Sequence, residues 1–297
     1  MIVVDKPAGL TSHDVVAAAR RSVGERQIGH MGTLDPLATG VLPLAVGHAT
    51  RLIRFLAGAE KEYDATIRFG FATDSYDIAG AETRRTNAVP SRQHLVAALS
   101  ELTGDYLQQP PAYSAKHIRG RRAYQLARDR QVVELTPISV RVSRAELLEF
   151  TEERAQVALT CTAGFYVRSF AHSLGELVAT GACLEGLRRT RSGDFGLGMA
   201  IPLDALCHRA RWRASLVPLE ALLGRLPAVT LTGQGRAHVA HGRDVDENEY
   251  RPAPQPVSGS DASVTSWVRL MDACGCLVGV ATSGARPGSL HPSVVLI

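Results

Sequence analysis

Two hydrophobic periods alternate along the chain, and the places where one gives way to the other predict its elements. Ile2-Val3-Val4 is a short apolar run closed by the turn formers Asp5-Lys6-Pro7-Ala8-Gly9, the pattern of a strand and its turn. Thr11 or Ser12 then offers an N-cap for a helix that turns Val15, Val16 and Ala19 inward and stops near Gly24. Residues 29–40 are rich in Gly and Pro and read as a loop. Val41 to Val46 reads as a buried strand, and Ala49 to Ala57 as a helix with Leu52, Ile53 and Leu56 inward. From Tyr63 to Phe69 apolar and polar residues alternate, which predicts a half-buried strand. Ser91 caps a helix carrying Leu95, Val96, Leu99 and Leu102 and ending at Gly104. Strands follow around Val132–Leu135, Ile138–Val142 and Gln156–Cys161. A helix then runs from Arg168 to Thr180 with Ala171, Leu174, Leu177 and Val178 inward and Gly181 at its end.

These elements mix without the strict strand–helix alternation of a doubly wound fold. An α+β domain is expected, built on a mixed, largely antiparallel sheet flanked by helices. At 297 residues the chain exceeds the size at which a single core usually stops growing, so a small second domain is expected beside the large one. The tail fits that role: strands are placed near Ala228–Leu231, Trp267–Met271, Leu277–Ala281 and Val294–Leu296, interrupted by a Pro/Ser/Gly/Ala-rich loop over residues 251–263. The boundary falls between residues 225 and 226.

No apolar run approaches the ~18 residues of a membrane span, and Asp5 and Lys6 break the opening apolar run too early for a signal peptide. The five cysteines are an odd number and read as reduced thiols of a cytoplasmic protein. Cys274-x-Cys276 lacks a second Cys or His pair at zinc-site spacing, so no metal is expected. Charge adds a hint about partners. The net value is only +4, but the cations cluster: between Lys116 and Arg144 eight Lys/Arg face Asp129 and Glu134, and between Arg188 and Arg213 six Arg face two Asp. Two basic stretches on a balanced chain suit a polyanion such as RNA, and solvated helix faces would give similar counts.

The stretch richest in chemistry is Gly29-His30-Met31-Gly32-Thr33-Leu34-Asp35-Pro36-Leu37-Ala38-Thr39-Gly40. Its glycines let backbone pass close to a ligand or take positive φ, and Pro36 biases Asp35 away from helical geometry. On local physics Asp35 is either a carboxylate presented on a loop or an N-cap with Pro36 at the first helical position. No Gly-Lys-Ser/Thr follows, which argues against a phosphate-binding loop and nucleotide hydrolysis.

This stretch, with Asp5-Lys6-Pro7-Ala8-Gly9 before it, resembles the bacterial tRNA pseudouridine-55 synthases. Four further segments fit that family in order: Lys61-Glu62-Tyr63; Thr73-Asp74-Ser75-Tyr76-Asp77; Pro111-Ala112-Tyr113-Ser114-Ala115-Lys116 with Gly120 and Tyr124; and Gly164-Phe165-Tyr166-Val167-Arg168-Ser169 with Leu187-Arg188-Arg189 beyond it. The match covers residues 2 to about 195. Two positions depart from the family pattern: Met31 stands where a small polar residue is usual, and Ala79-Gly80 replaces the usual Asp-Gly.

The resemblance implies a pseudouridine synthase fold over residues 1–225, with an RNA-gripping insertion at about 116–144. More weakly it implies a small C-terminal β-barrel of the PUA kind over 226–297, Gly235 to Asp244 resembling its first helix and turn. It implies isomerisation of uridine 55 in the TΨC loop of transfer RNA after base flipping. Asp35 is then the catalytic carboxylate, attacking ribose C1′ or assisting deprotonation of the sugar. Tyr63 stacks on the target base, Arg168 pairs with and orients Asp35, Tyr166 and Leu187 wall the uracil pocket, and His30 reaches the RNA near the flipped nucleotide or helps splay it. Lys6 and Lys116 contact phosphate or brace the loops. Uracil is its own leaving group and nucleophile, so the chemistry requires no cofactor. The expected partner is tRNA, bound by a monomer with no obligate protein partner. A non-catalytic RNA binder or tRNA folding chaperone on the same scaffold is the alternative.

Overall fold

The computed structural model describes residues 1–113, 135–253 and 267–297, together with the backbone of two short strands at 117–118 and 121–122. Its frame is a ten-stranded sheet. Along the main path the order is Ile201–Pro202, Ile2–Lys6, Thr39–Val46, Ala182–Ser192, Lys61–Phe69, Arg154–Cys161, Ile138–Phe150 and Gly104–Gln108. In this sheet two strand pairings are parallel, Ile2–Lys6 with Ile201–Pro202 and Thr39–Val46 with Ala182–Ser192. The sheet is thus mixed and largely antiparallel.

Strand alternation divides the core between the two faces. Ile2, Val4, Leu42 and Leu44 point to a cluster that receives Val15, Val16 and Ala19 of the helix Ser12–Val23, Leu95 and Leu99 of Arg92–Glu101, and Phe170 and Leu174 of Val167–Leu177. Val3, Val41 and Ala45 point the other way, into a cluster shared with Leu277, Val280, Val294 and Leu296. The tail therefore docks on the back of the sheet. It forms its own five-stranded sheet, ordered Tyr250–Pro252, Ala228–Leu231, Val268–Met271, Leu277–Ser283 and Leu290–Val295, with the helix Gly233–Ala240 over it, as fits a small PUA-like domain.

Several expectations change in detail. Thr11 caps the first helix through a reciprocal capping box with Asp14, and Gly24 closes it at φ 76°. The stretch expected as a helix over Ala49–Ala57 is a 3-10 turn followed by one α turn, Ile53–Leu56. The strand Ile138–Phe150 runs eight residues past the expected end at Val142, paired with Arg154–Cys161 through two register shifts that break its alternation and leave Leu148 exposed. Val96 and Leu177, expected inward, are exposed. The expected strand Val132–Leu135 and the loop over 251–263 fall largely outside the described residues.

The hydrophobic pattern does not predict Ala182–Ser192, the strand on which the candidate site is assembled. Its sequence, Leu-Glu-Gly-Leu-Arg-Arg-Thr-Arg in the middle, looks like a solvated segment, yet it lies in the centre of the sheet. Two register shifts against Lys61–Phe69 mark irregularities in this strand, and they flank Leu187 and Arg189.

Candidate active site

The loop carrying Asp35 joins the short strand Ile28–His30 to its antiparallel neighbour Thr39–Val46. The Asp35 carbonyl accepts from Ala38 N–H at 3.0 Å, with Pro36 in the second position. Asp35 therefore heads a turn and does not cap a helix. Side chains and backbone from the first segment hold this turn. Ser12 Oγ accepts from Leu34 N–H at 2.8 Å and donates to the Leu34 carbonyl at 3.2 Å, and Gly9 N–H donates to the Pro36 carbonyl at 2.8 Å. Lys6 is wholly buried, its ammonium on the carbonyls of Pro7 (2.8 Å), Leu10 (2.6 Å) and Pro36 (3.4 Å). Burial pulls its pKa down, and the Asp35 charge offsets part of that. Such a geometry braces a loop and leaves no donor turned toward a phosphate.

Arg168, in the first turn of Val167–Leu177, meets Asp35 from the other side. Its Nη2 donates to Oδ1 at 3.3 Å, while Nε sits 2.9 Å from Oδ2 as an ion-pair contact without hydrogen-bond alignment. The same guanidinium donates to the carbonyls of Tyr113 (2.8 Å) and Ser75 (3.2 Å) and lies 3.7 Å from Asp77. Asp77 is fixed in turn by Ser75 Oγ at 2.7 Å and Ala79 N–H at 3.1 Å. The pair is asymmetric. The Arg168 side chain is 7% exposed and held by two backbone carbonyls, whereas the Asp35 side chain is 36% exposed and presents carboxylate to whatever enters. A carboxylate held on one edge by a fixed guanidinium and open on the other is suited to act on an electrophilic carbon or an acidic C–H.

Tyr63 lies on Lys61–Phe69 in register with Arg189 of the central strand, almost fully buried. Burial pushes its phenol pKa up, the Arg189 guanidinium bonds to it and pulls the other way, and the Asp35 charge adds a smaller upward push. Arg189 is itself sealed in the interior, where Nε donates to the Val41 carbonyl at 2.7 Å and Nη2 to that of Gly32 at 3.1 Å. It thus joins the two ends of the loop carrying Asp35 to Tyr63. The pairing also explains Gly40, at φ +99°: a Cβ there would sit 2.2 Å from the Arg189 carbonyl oxygen.

His30 is half-buried at the start of the loop, edge-on to His13 with ring centroids 6.0 Å apart. Burial, then the charges of His13 and Arg189, lower its pKa, and its Nδ1 is buried without a hydrogen-bond partner. Leu187 is half-buried, and its carbonyl accepts from Thr39 Oγ1 at 3.4 Å, just beyond the loop. Tyr166 is half-buried two residues before Arg168, its backbone clamped in both directions by the buried Gln108 amide at 2.8 and 3.0 Å. Lys116 lies outside the described residues.

Asp35, Arg168, Tyr63 and His30 are thus tied into one region by direct contacts or charges, with Leu187 and Tyr166 joined to it through backbone. Arg189, Gln108 and Ser12 are not singled out as site residues by the sequence. Arg189 stands in the Leu187-Arg188-Arg189 run, but nothing in the pattern tells an Arg that will be buried from one that will be solvated. The two departures also find their places. Met31 is buried against the back-face cluster and so faces away from the site, and the turn at Ala79 is held by backbone donors to Asp77 and Asp74.

The description TruB family pseudouridylate synthase (N terminal domain) matches residues 20–167. The chain is 39% identical over 300 residues to tRNA pseudouridine synthase B of Solibacter usitatus, covering 100% of this chain and 99% of that one. It is 42% identical to the protein of the same name from Gloeobacter violaceus, covering 99% and 97%. Among solved structures it is similar to a Cbf5-Nop10-Gar1 complex (TM-score 0.74) and to an H/ACA RNP bound to a substrate RNA containing 2′-deoxyuridine (TM-score 0.73). In both, 25% of residues are identical over 100% of this chain and 84% of the other.

Proposed function

The chain belongs to the TruB family of pseudouridylate synthases, and from that premise we propose that it converts a uridine of transfer RNA to pseudouridine, with Asp35 acting on the ribose. The observation that carries the residue assignment is the Asp35–Arg168 pair, open to solvent on the carboxylate side and locked on the guanidinium side. The target is uridine 55 of the TΨC loop, the position expected from the family motifs.

The reaction breaks the N1–C1′ glycosidic bond, turns the uracil and rejoins it through C5, releasing the C5 proton. Asp35 starts it by attack on C1′ or by taking a proton from the sugar, and both routes need the carboxylate edge that Arg168 leaves free. Tyr63 stacks on the flipped base, and stacking of ~1–3 kcal/mol per base offsets much of the few kcal/mol needed to extrude it. Its raised phenol pKa keeps the ring neutral while it does so. Tyr166 and Leu187 form the walls, and His30, neutral at physiological pH on the direction of its shift, lies at the RNA side of the loop. The PUA-like unit over 226–297 adds a second RNA-binding surface. The enzyme acts in the cytoplasm; among the described residues no helix is long and apolar enough to cross a membrane.

A folding chaperone on this scaffold would need the basic surfaces without the carboxylate, and the converging hydrogen bonds on Arg168 favour the enzyme. The test is tritium release from a tRNA transcript labelled at uridine C5. Wild type should release tritium and place pseudouridine at one T-loop position, while Asp35→Ala and Asp35→Asn release none and keep tRNA affinity within a few-fold. Turnover by Asp35→Ala close to that of wild type would remove the assignment.

A further inference from the structure

The second basic stretch, residues 188–213, is left unexplained by the catalytic reading, and the structure divides it. Arg188 pairs with Asp5 and Arg191 with Glu62, each at 2.8 Å, and Arg189 is buried. Arg209, Arg211 and Arg213 differ: all are exposed on the short helix Arg209–Ala214, and none has an acidic partner among the described residues. Trp212 is buried in the main core and anchors that helix, leaving the three guanidinium groups outward, Arg213 over the indole at 5.6 Å.

The turn before this helix, Leu203–Cys207, packs on the first helix, where Cys207 Sγ is 3.9 Å from Ser22 Oγ. The last turn of the first helix adds Arg20 and Arg21, and the segment after it Arg26, all exposed. Two acids share the face: Glu25, whose carboxylate accepts from Gln27 N–H at 2.7 Å, and the exposed Asp204. Folding explains part of this surface, since Arg20 and Arg21 complement the helix dipole where they stand. It does not explain the rest. Arg209 and Arg213 are like charges four residues apart, and Arg209 occupies a first turn, where a cation is disfavoured.

We propose that this face grips the phosphate backbone of the substrate RNA away from the target nucleotide, a proposal that rests on the tRNA-modifying reading above. The first helix sets the separation: Ser12 at its start is bonded to Leu34, next to Asp35, and its 12 residues carry the chain ~18 Å away. Guanidinium forks take phosphate oxygens two at a time, and such contacts are blind to sequence and weaken steeply with salt.

The test compares the full-length enzyme carrying Arg209→Gln, Arg211→Gln and Arg213→Gln with wild type, on full tRNA transcript across a salt series. A control carries Arg84→Gln and Arg85→Gln, two surface arginines already paired with Glu176 and Glu82. The triple variant should keep kcat, raise KM about tenfold at moderate salt, and flatten the log–log dependence of tRNA binding on salt by about two to three. A wild-type KM and slope in the triple variant, or an equal change in the control, overturns the proposal. Absence of pseudouridine with wild type at every salt overturns the tRNA-modifying reading instead, and direct binding then still reads the patch.

Discussion

The loop carrying Asp35 and the C-terminal unit use cations in opposite ways. Around the loop, Lys6, Lys61, Arg168 and Arg189 are all buried, and each donates to backbone carbonyls as a cross-link between segments of the chain. In the C-terminal unit most charges sit at the surface, as with Arg286 and Asp246 at 3.5 Å and His291 and Asp244 at 2.7 Å. Arg269, donating to the Leu226 carbonyl, is its one buried arginine among the described residues. The contrast follows from dielectric environment. A buried cation is tolerable only with its donors satisfied, and once satisfied it rigidifies what it touches. On the proposed function, a carboxylate that meets a flipped nucleotide benefits from such a frame, whereas a unit proposed to dock on an RNA surface does not require one.

Gly40→Ala attacks the frame most directly. The new methyl group would fall on the Arg189 carbonyl, backbone that cannot swing aside, at a φ of +99° that L-residues rarely adopt. We expect a loss above about 4 kcal/mol, read as a collapse in soluble yield or in urea midpoint. A loss below about 1 kcal/mol would mean that the parallel pairing of the loop strand with the central strand is not the constraint described.

Arg189→Met comes next. It leaves the carbonyls of Val41 and Gly32 and the Tyr63 hydroxyl without a donor, and unmet buried groups cost about 1–3 kcal/mol each. Carbonyls have a second lone pair, so we expect about 2–4 kcal/mol in total, with kcat falling more than affinity because Tyr63 and the loop lose their common brace. Arg189→Lys, keeping a charge but not the fork, should fall between wild type and Met in both readings. Equal kcat in all three would separate Arg189 from the site.

Much of this frame was legible in the sequence, and its limits are physical. Thr11, Gly24, the alternation over Tyr63–Phe69 and the Gly/Pro loop around Asp35 all follow from local rules, and the chain forms what they predict, with the loop expected over 29–40 trimmed at both ends by the strands Ile28–His30 and Thr39–Val46. The central strand Ala182–Ser192 does not, because its side chains satisfy partners contributed by three other segments. Arg188 answers Asp5, Arg189 answers Val41 and Gly32, and Arg191 answers Glu62. No local pattern encodes a strand whose polar residues are satisfied by distant neighbours. Gln108 is hidden for the same reason: its two bonds go to Tyr166, 58 residues on. The candidate residues themselves were visible through motif resemblance, and what holds them was visible only in three dimensions.

The smallest expected effect lies on the other side of the comparison. Arg286 pairs with Asp246 at 3.5 Å, its side chain 74% exposed and its partner's 45%. At such exposure water screens the attraction, and ordering two long side chains cancels much of what remains. Arg286→Ala should therefore change stability by less than about 0.5 kcal/mol, which in a chain of this size moves Tm by less than ~2 °C. The same truncation at Arg189 removes a donor that no water replaces, so the two arginines should differ several-fold in cost although both are charged, long and hydrogen-bonded. A Tm drop on Arg286→Ala comparable to that of Arg189→Met would show that the C-terminal unit is also held by its charges, and the distinction between frame and docking surface would fail.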